Sequence, residues 1–220
     1  MPGQMLLPFL LRQCADIGMR ICLTGGIACG KSLLSSYLRE LGVDTIDADD
    51  IVHEIIPTEE RRRLAVLVFS DFAARKELEA RIHPLVRRRI ADWFLEGVKS
   101  ESIDASPKAC CAISGIASSM TCNPSPAIRI AIIPLLFEVH WERDYDIIIC
   151  VASSREKQIE RMTTMRGYSR EEAEARLAAQ MDVEEKAARS HYMIRNDGSP
   201  EQLKEEASRL VARLKEQIRP

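Results

Sequence analysis

The feature that most constrains this chain is a glycine-rich segment between two apolar stretches. Residues Gly25 to Ser32 read GGIACGKS and match the pattern G-x-x-x-x-G-K-[ST]. Glycines allow backbone N–H groups to turn inward, where side chains would block an anion. The pattern also supplies a positive charge through Lys31 and, through the hydroxyl of Ser32, a ligand for Mg²⁺. The segment therefore predicts a phosphate-binding loop for a nucleoside triphosphate.

Apolar runs and amphipathic segments alternate around this loop. Met19–Leu23 and Val43–Ile46 have the pattern of short buried strands, and Lys31–Leu41 between them has apolar residues at helical spacing. Ile128–Ile133 and Asp146–Val151 are continuous β-branched runs, which are typical of parallel strands buried on both faces. Helical patterns follow each of these runs. The alternation predicts an α/β sandwich built on a parallel sheet.

Composition and charge narrow the class of protein. The 220 residues fit one domain, or one core with inserted subdomains. A net charge of −2 excludes a globally basic nucleic-acid binder. Seven cysteines include no C-x-x-C pair, which disfavours a zinc site or a disulfide framework, and no run approaches the roughly 20 apolar residues of a membrane span. We expect a cytoplasmic protein with neither nucleic acid nor membrane as a partner, and a monomer or weak homo-oligomer.

Two segments depart from the alternating pattern. Residues 1–18 form a mildly apolar leader, which is either a targeting segment for mitochondria or another organelle, or a dispensable extension. Residues 98–127 are rich in Ser, Cys, Gly and Pro without a period, so we expect a poorly ordered insertion there. Three S-x-x-E/Q capping boxes, beginning at Ser153, Ser169 and Ser199, predict helix starts in the last third of the chain.

A phosphate-binding loop alone does not separate kinases from GTPases or motor ATPases. The chain contains no N-K-x-D sequence and is short for a motor ATPase, which leaves a small-molecule kinase. A set of short motifs, in order along most of the chain, resembles the dephospho-coenzyme A kinase family. The matching segments are Leu23–Ile27, Gly30–Ser32, Ile46–Asp49, His83–Val86, Ile133–Glu138, Arg161, Ala178–Gln180 and Asn196–Gly198.

This resemblance implies a P-loop kinase domain over residues 19–220, built as a three-layer sandwich around a central parallel five-stranded sheet. It also implies a helical acceptor-substrate region at about residues 50–97 and a lid at about residues 161–190. The expected activity is MgATP-dependent phosphorylation of the ribose 3′-hydroxyl of dephospho-coenzyme A, giving coenzyme A and ADP. The residues expected to bind the nucleotide are Gly25, Gly26, Ile27, Ala28, Cys29, Gly30, Lys31, Ser32, Arg161, Asn196 and Gly198, with Ser32 also the metal ligand.

The resemblance also assigns catalytic roles. Asp49 is expected to accept the proton of the 3′-hydroxyl, while Lys31 and Arg161 spread the charge of the transferred phosphoryl group. Asp47 could orient a water on Mg²⁺, and one of the two carboxylates could instead cap a helix over Asp50–Ile56. Met165 stands where a second lid arginine is usual, so closure uses either the neighbouring Arg166 or Arg161 alone.

The acceptor is expected to meet Asp47, Asp49, Arg81, His83 and Leu135. The chain between Asp49 and Phe69 is shorter than the family pattern, and residues 98–127 have no counterpart in it. Two alternatives therefore stay open: a kinase for another nucleoside or nucleotide, and a nucleotide-binding protein that has lost catalysis. Asn196 to Gly198 could also be no more than a turn before the final helix.

Overall fold

The computed structural model describes residues 19–56, 72–103 and 128–218. In these residues, five parallel strands form one sheet in the order β2-β3-β1-β4-β5. The strands are β1 (Ile21–Gly25), β2 (Asp44–Asp47), β3 (Arg129–Ile132), β4 (Ile147–Ala152) and β5 (Tyr192–Arg195). The phosphate-binding loop thus follows the central strand, and both neighbours of β1 end beside it.

Helices cover both faces of the sheet. They are α1 (Lys31–Glu40), α2 (Ala48–Ile55), α3 (Phe72–Ile103), α4 (Arg155–Arg166), α5 (Arg170–Ala178), α6 (Val183–Ala188) and α7 (Pro200–Ile218). A short 3₁₀ turn, Glu142–Asp144, precedes β4. No helix within the described ranges has both the length and the apolar character needed to cross a membrane.

Two hydrophobic cores, one on each face of the sheet, share the side chains of β1 and β3 in alternation. In β1, Ile21 and Leu23 pack in the core that contains residues of α1 and α7, whereas Cys22 packs in the core that contains residues of α2 and α3. Alternate residues of a strand point to opposite faces, so both faces of the sheet are buried. The three-layer α/β architecture with a parallel five-stranded sheet, predicted from the sequence, is confirmed.

Some element boundaries differ from the sequence prediction. Helix α3 runs without interruption through Pro84 and ends at Ile103, so the expected insertion does not begin at Val98. The helix therefore continues into the segment whose composition predicted a loop. The helix expected from Asp50 begins at Ala48. Predictions for residues 1–18, for the segment 57–71 and for residues 104–127 fall outside the described residues.

Helix capping follows the sequence in two of three places. Ser169 and Glu172 form the expected box at α5. At the start of α7, the backbone N–H groups of Ser199 and Gln202 each donate to the side chain of the other residue. At α4 the cap is Ser154 instead of Ser153, and its hydroxyl accepts from Lys157 N. Ser153 is buried and donates to the carbonyl of Asn196. A tertiary hydrogen bond therefore decides between two adjacent serines.

Candidate active site

A cleft of about 670 Å³ opens at the carboxyl end of the sheet. This end is where open α/β sheets bind ligands, and the volume lies in the range of small-molecule sites. Its walls come from the phosphate-binding loop, the first turns of α1 and α2, the end of β3, helix α4 and the start of α7. The lining residues are Ile27, Ala28, Gly30, Lys31, Ser32, Leu33, Asp47, Asp49, Ile132, Pro134, Arg161, Met165, Arg166, Gln180, Asn196, Gly198 and Pro200.

Glycine is required at two positions of the loop. Gly25 has φ +148°, and a Cβ there would lie 2.3 Å from the carbonyl oxygen of Val151. Gly30 has φ +93°, and a Cβ there would lie 2.1 Å from Asn196 Nδ2. Ala28 also has a left-handed backbone, with φ +57°. That conformation costs a non-glycine residue about 1–2 kcal/mol, so the loop holds a strained residue at Ala28.

Lys31 folds back over the loop that precedes it. Its Nζ donates to the carbonyl oxygens of Gly25 and Gly26, each at 2.8 Å. Burial lowers the pKa of Lys31, and the charge of Lys186 lowers it further, while Asp49 opposes the shift. Helix α1 begins directly after Gly30 with no side-chain cap. Its first N–H groups and the Lys31 ammonium are therefore positioned to bind phosphate oxygens.

Three amide side chains hold the loop in place, and two of them, Gln180 and Asn196, also line the cleft. Gln158 Nε2 donates to the carbonyl of Ile27 at 2.7 Å, and Gln180 Oε1 accepts from the N–H of the same residue at 3.1 Å. Asn196, which is 5% exposed, donates from Nδ2 to the carbonyl of Cys29 at 2.8 Å. Sequence reasoning missed Gln158, because an amide four residues into a helix has no distinguishing pattern.

The guanidinium of Arg161 joins the phosphate-binding loop to the loop after β5. Its Nη1 donates to Ala28 O at 3.1 Å and to Ser153 Oγ at 2.9 Å, and its Nη2 donates to Asn196 O at 2.7 Å. Arg166 lies at the end of the same helix and also lines the cleft, beside the 79% exposed Met165. Two cationic side chains of α4 thus line the cleft.

The two carboxylates after β2 occupy different positions. Asp47 is the N-cap of α2, because its Oδ1 accepts from Asp49 N at 2.9 Å. Burial raises the pKa of Asp47, opposed by that hydrogen bond. Asp49 lies in the first turn of α2, exposed and on the cleft wall. Of the two, Asp49 has the carboxylate that is not used in capping the helix.

Three of the residues expected to meet the acceptor do not line the cleft. His83 packs its ring edge-on against Trp141, with centroids 5.7 Å apart, and Arg81 is exposed on α3. Neither lines the cleft, and Leu135 lies one residue past the lining Pro134. Farther along the lid, Arg176 stacks over Tyr168, with its guanidinium carbon 4.2 Å from the ring centroid.

Comparison with known proteins decides the family. The model of the dephospho-CoA kinase family matches residues 19–60 and 113–202. A dephospho-CoA kinase of Symbiobacterium thermophilum is 36% identical over 82% of this chain and 75% of its own length. The chain belongs to the dephospho-CoA kinase family. A second family member, from Geobacter sulfurreducens, is 32% identical over 88% of this chain and 97% of its own length.

Solved structures share the fold of this chain. A Thermus thermophilus crystal structure aligns with 90% of this chain and 98% of its own, at 30% identity and a TM-score of 0.63. A dephospho-CoA kinase structure from Campylobacter jejuni shares the fold, with a TM-score of 0.55 over 88% of this chain and 96% of its own at 23% identity. The dephospho-CoA kinase family model resumes at residue 113, and the expectation that residues 98–127 lack a counterpart stays a prediction.

Proposed function

We propose that this chain transfers the γ-phosphoryl group of ATP to the ribose 3′-hydroxyl of dephospho-coenzyme A. The observation that carries the proposal is that Lys31, Ser32, Asp49 and Arg161 line one cleft. A cationic anchor, a hydroxyl ligand and an uncommitted carboxylate are the groups that phosphoryl transfer to an alcohol needs. Family membership supplies the acceptor.

Each residue has a defined task in this proposal. Lys31 leaves the carbonyls of Gly25 and Gly26 and pairs with phosphate oxygens, assisted by the free N–H groups at the start of α1. Asp49 orients the acceptor hydroxyl and takes its proton as the new bond to phosphorus forms. Arg161 stays beside Ala28 and Asn196 and supplies positive charge at the nucleotide end of the cleft. Arg166 supplies the second positive charge of the lid, because the position at which a second arginine is expected holds Met165.

The cleft suits a magnesium ion carried in with the nucleotide. Within the described residues no cluster of three His, Cys, Asp or Glu side chains could hold a metal. Mg²⁺ instead keeps several waters and takes one or two protein groups plus substrate phosphates. Ser32 would coordinate it directly and Asp47 would hold one of its waters, and the ion would neutralise charge on the β- and γ-phosphates.

The proposal is tested by ADP release from MgATP with and without dephospho-coenzyme A, in wild type, D49N and D50N. Asp50 is exposed in the same turn of α2 but does not line the cleft, so it is a matched control. We expect acceptor-dependent release, a loss of about 10²–10⁴-fold in kcat for D49N, and little change for D50N. Full activity in D49N would refute the role of Asp49.

A different acceptor is the second candidate. Residues 61–112, which contain α3, Arg81 and His83, lie between the two segments matched by the family model. This is the region expected to enclose the acceptor, so a nucleoside or nucleotide could replace dephospho-coenzyme A. A panel of such acceptors at equal concentration distinguishes the two. Higher kcat/KM for another acceptor would reassign the substrate while keeping the reaction.

A further inference from the structure

An ion pair between a buried lysine and a partly buried glutamate lies behind the cleft and is used by none of the roles above. Lys186 on α6 is completely buried, with Nζ 2.7 Å from Glu138 Oε1. The same Nζ donates to the carbonyl oxygen of Pro134 at 3.0 Å. Pro134 lines the cleft just beyond β3. The pair therefore holds part of the cleft wall from behind.

Other hydrogen bonds extend this pair into a network. The Pro134 carbonyl also accepts from Thr24 Oγ1 at 3.3 Å, one residue before the phosphate-binding loop. Glu138 Oε1 also accepts from Met181 N at 3.1 Å. Met181 belongs to the segment 179–182 between α5 and α6, which we call the lid return. The network thus joins the central strand, the β3 wall and the lid return.

The lid return is also fixed to the nucleotide side. Gln180, next to Met181, accepts from the N–H of Ile27 in the phosphate-binding loop. Two consecutive residues therefore tie the lid return to both sides of the cleft. In addition, burial lowers the pKa of Lys31, and the positive charge of Lys186 lowers it further. The two ammonium groups are therefore coupled electrostatically.

Stability gives no sufficient reason for an ion pair at this place. Removing two charges from water costs several kcal/mol per ion, and a well-packed apolar replacement is often as stable or more stable. The pair is also incompletely satisfied, since Glu138 Oε2 is buried without a hydrogen-bond partner among the described residues. An arrangement that is costly and joins three separate parts of the cleft surroundings points to a role in geometry.

We propose that Lys186 and Glu138 are positioning residues that fix the β3 wall and the lid return relative to the phosphate-binding loop. This inference rests on the proposed function, because the distance it sets is that between the acceptor hydroxyl and the γ-phosphorus of ATP. Reacting atoms must be held at about 3–3.5 Å, and a misplacement of about 1 Å can cost about 10²-fold in rate. Neither side chain touches the substrates.

The test compares K186M, the double variant K186M/E138Q and a control double variant, K204M/E40Q. Methionine approximates the length of lysine, and glutamine that of glutamate, so K186M/E138Q removes both charges at nearly constant volume. Lys204 and Glu40 form an exposed pair of similar length, 2.8 Å, between α7 and α1. Neither residue has a role in the proposed mechanism. Steady-state kinetics, ATP affinity and the urea unfolding midpoint are measured for each.

We expect K186M/E138Q to unfold near the wild-type midpoint while kcat/KM for dephospho-coenzyme A falls by about tenfold or more. The Kd for ATP should change less than about threefold, because the phosphate-binding loop keeps its own contacts. K204M/E40Q should match wild type in both respects. A double variant with a wild-type midpoint and wild-type kcat/KM would show that the pair does not set the geometry of the cleft and would overturn the inference.

A second measurement does not depend on turnover or on the double variant. Hydrogen exchange of the lid return is compared in wild type and K186M, in which Glu138, 23% exposed in the wild-type structure, loses its ion-pair partner. The inference expects faster exchange at Met181 in K186M with unchanged exchange in the strands, with and without ATP. Unchanged exchange at Met181 would overturn it. Wild type that shows no acceptor-dependent turnover refutes the proposed function instead, and leaves this measurement to decide the positioning role.

Discussion

Asn196 allows a direct test of how the phosphate-binding loop is held. Its side chain is buried and donates one hydrogen bond, 2.8 Å long, to the carbonyl of Cys29. In N196A that carbonyl loses its partner in a place with little access to water. The cost of leaving such a group unsatisfied is about 1–3 kcal/mol. Taking about 2 kcal/mol, the melting temperature should fall by roughly 4–8 °C for a domain of this size.

The nearly isosteric N196D separates the hydrogen bond from packing. At neutral pH it would place a carboxylate oxygen against the Cys29 carbonyl oxygen, replacing a donor by an acceptor. Burial raises the pKa of such a carboxyl above its unfolded value near 3.9, so its penalty is small in acid and grows as the pH rises. We expect N196D to be less stable than N196A at about pH 7, and to recover towards wild type at about pH 4.

Thermal unfolding and ATP titration of wild type, N196A and N196D at both pH values measure these effects. Weaker ATP binding should accompany the loss of stability in both variants at neutral pH, since the Cys29 peptide is part of the loop that faces the phosphates. N196D with wild-type stability at neutral pH would refute the reasoning. It would mean that the Asn196 hydrogen bond does not hold the loop.

Three further substitutions have expected outcomes. G25A should abolish ATP binding, measured by titration, because its Cβ would meet the Val151 carbonyl at 2.3 Å; binding within threefold of wild type would contradict the assignment. D47N keeps a helix cap but removes a carboxyl whose pKa burial raises, so its urea stability relative to wild type should rise between about pH 4 and about pH 7; a pH-independent difference would count against this. R166A should lower kcat about tenfold or more, while M165A at the neighbouring, 79% exposed position should not. Equal effects of the two substitutions would mean that Arg161 is the arginine that acts on lid closure, without Arg166.

Much of the fold and part of the site could be predicted from sequence, for identifiable reasons. The glycines in the segment Gly25 to Ser32 indicate its backbone geometry, because glycine best tolerates a left-handed φ and a close approach of other backbone atoms. Strands β1, β3 and β4 were evident because parallel strands buried on both faces form nearly continuous apolar runs, whereas the less buried β5 was not predicted. These are local constraints, so a single sequence contains them.

What the sequence did not show depends on contacts between distant residues. The choice of Ser154 over Ser153 as a cap follows from Ser153 donating to Asn196, 43 residues away. Lys186 reads as an ordinary charged residue of a surface helix, yet it is fully buried against Glu138 and Pro134. The length of α3 was underestimated because its last turns have loop-like composition.

The central claim is tested most directly by following the phosphoryl group itself. The protein is incubated with dephospho-coenzyme A and ATP labelled with ¹⁸O in the γ-phosphate, and the products are separated and weighed by mass spectrometry. The account predicts coenzyme A that carries the labelled phosphate on its ribose 3′-oxygen, formed in equal amount with ADP. Labelled inorganic phosphate with unchanged dephospho-coenzyme A would contradict it.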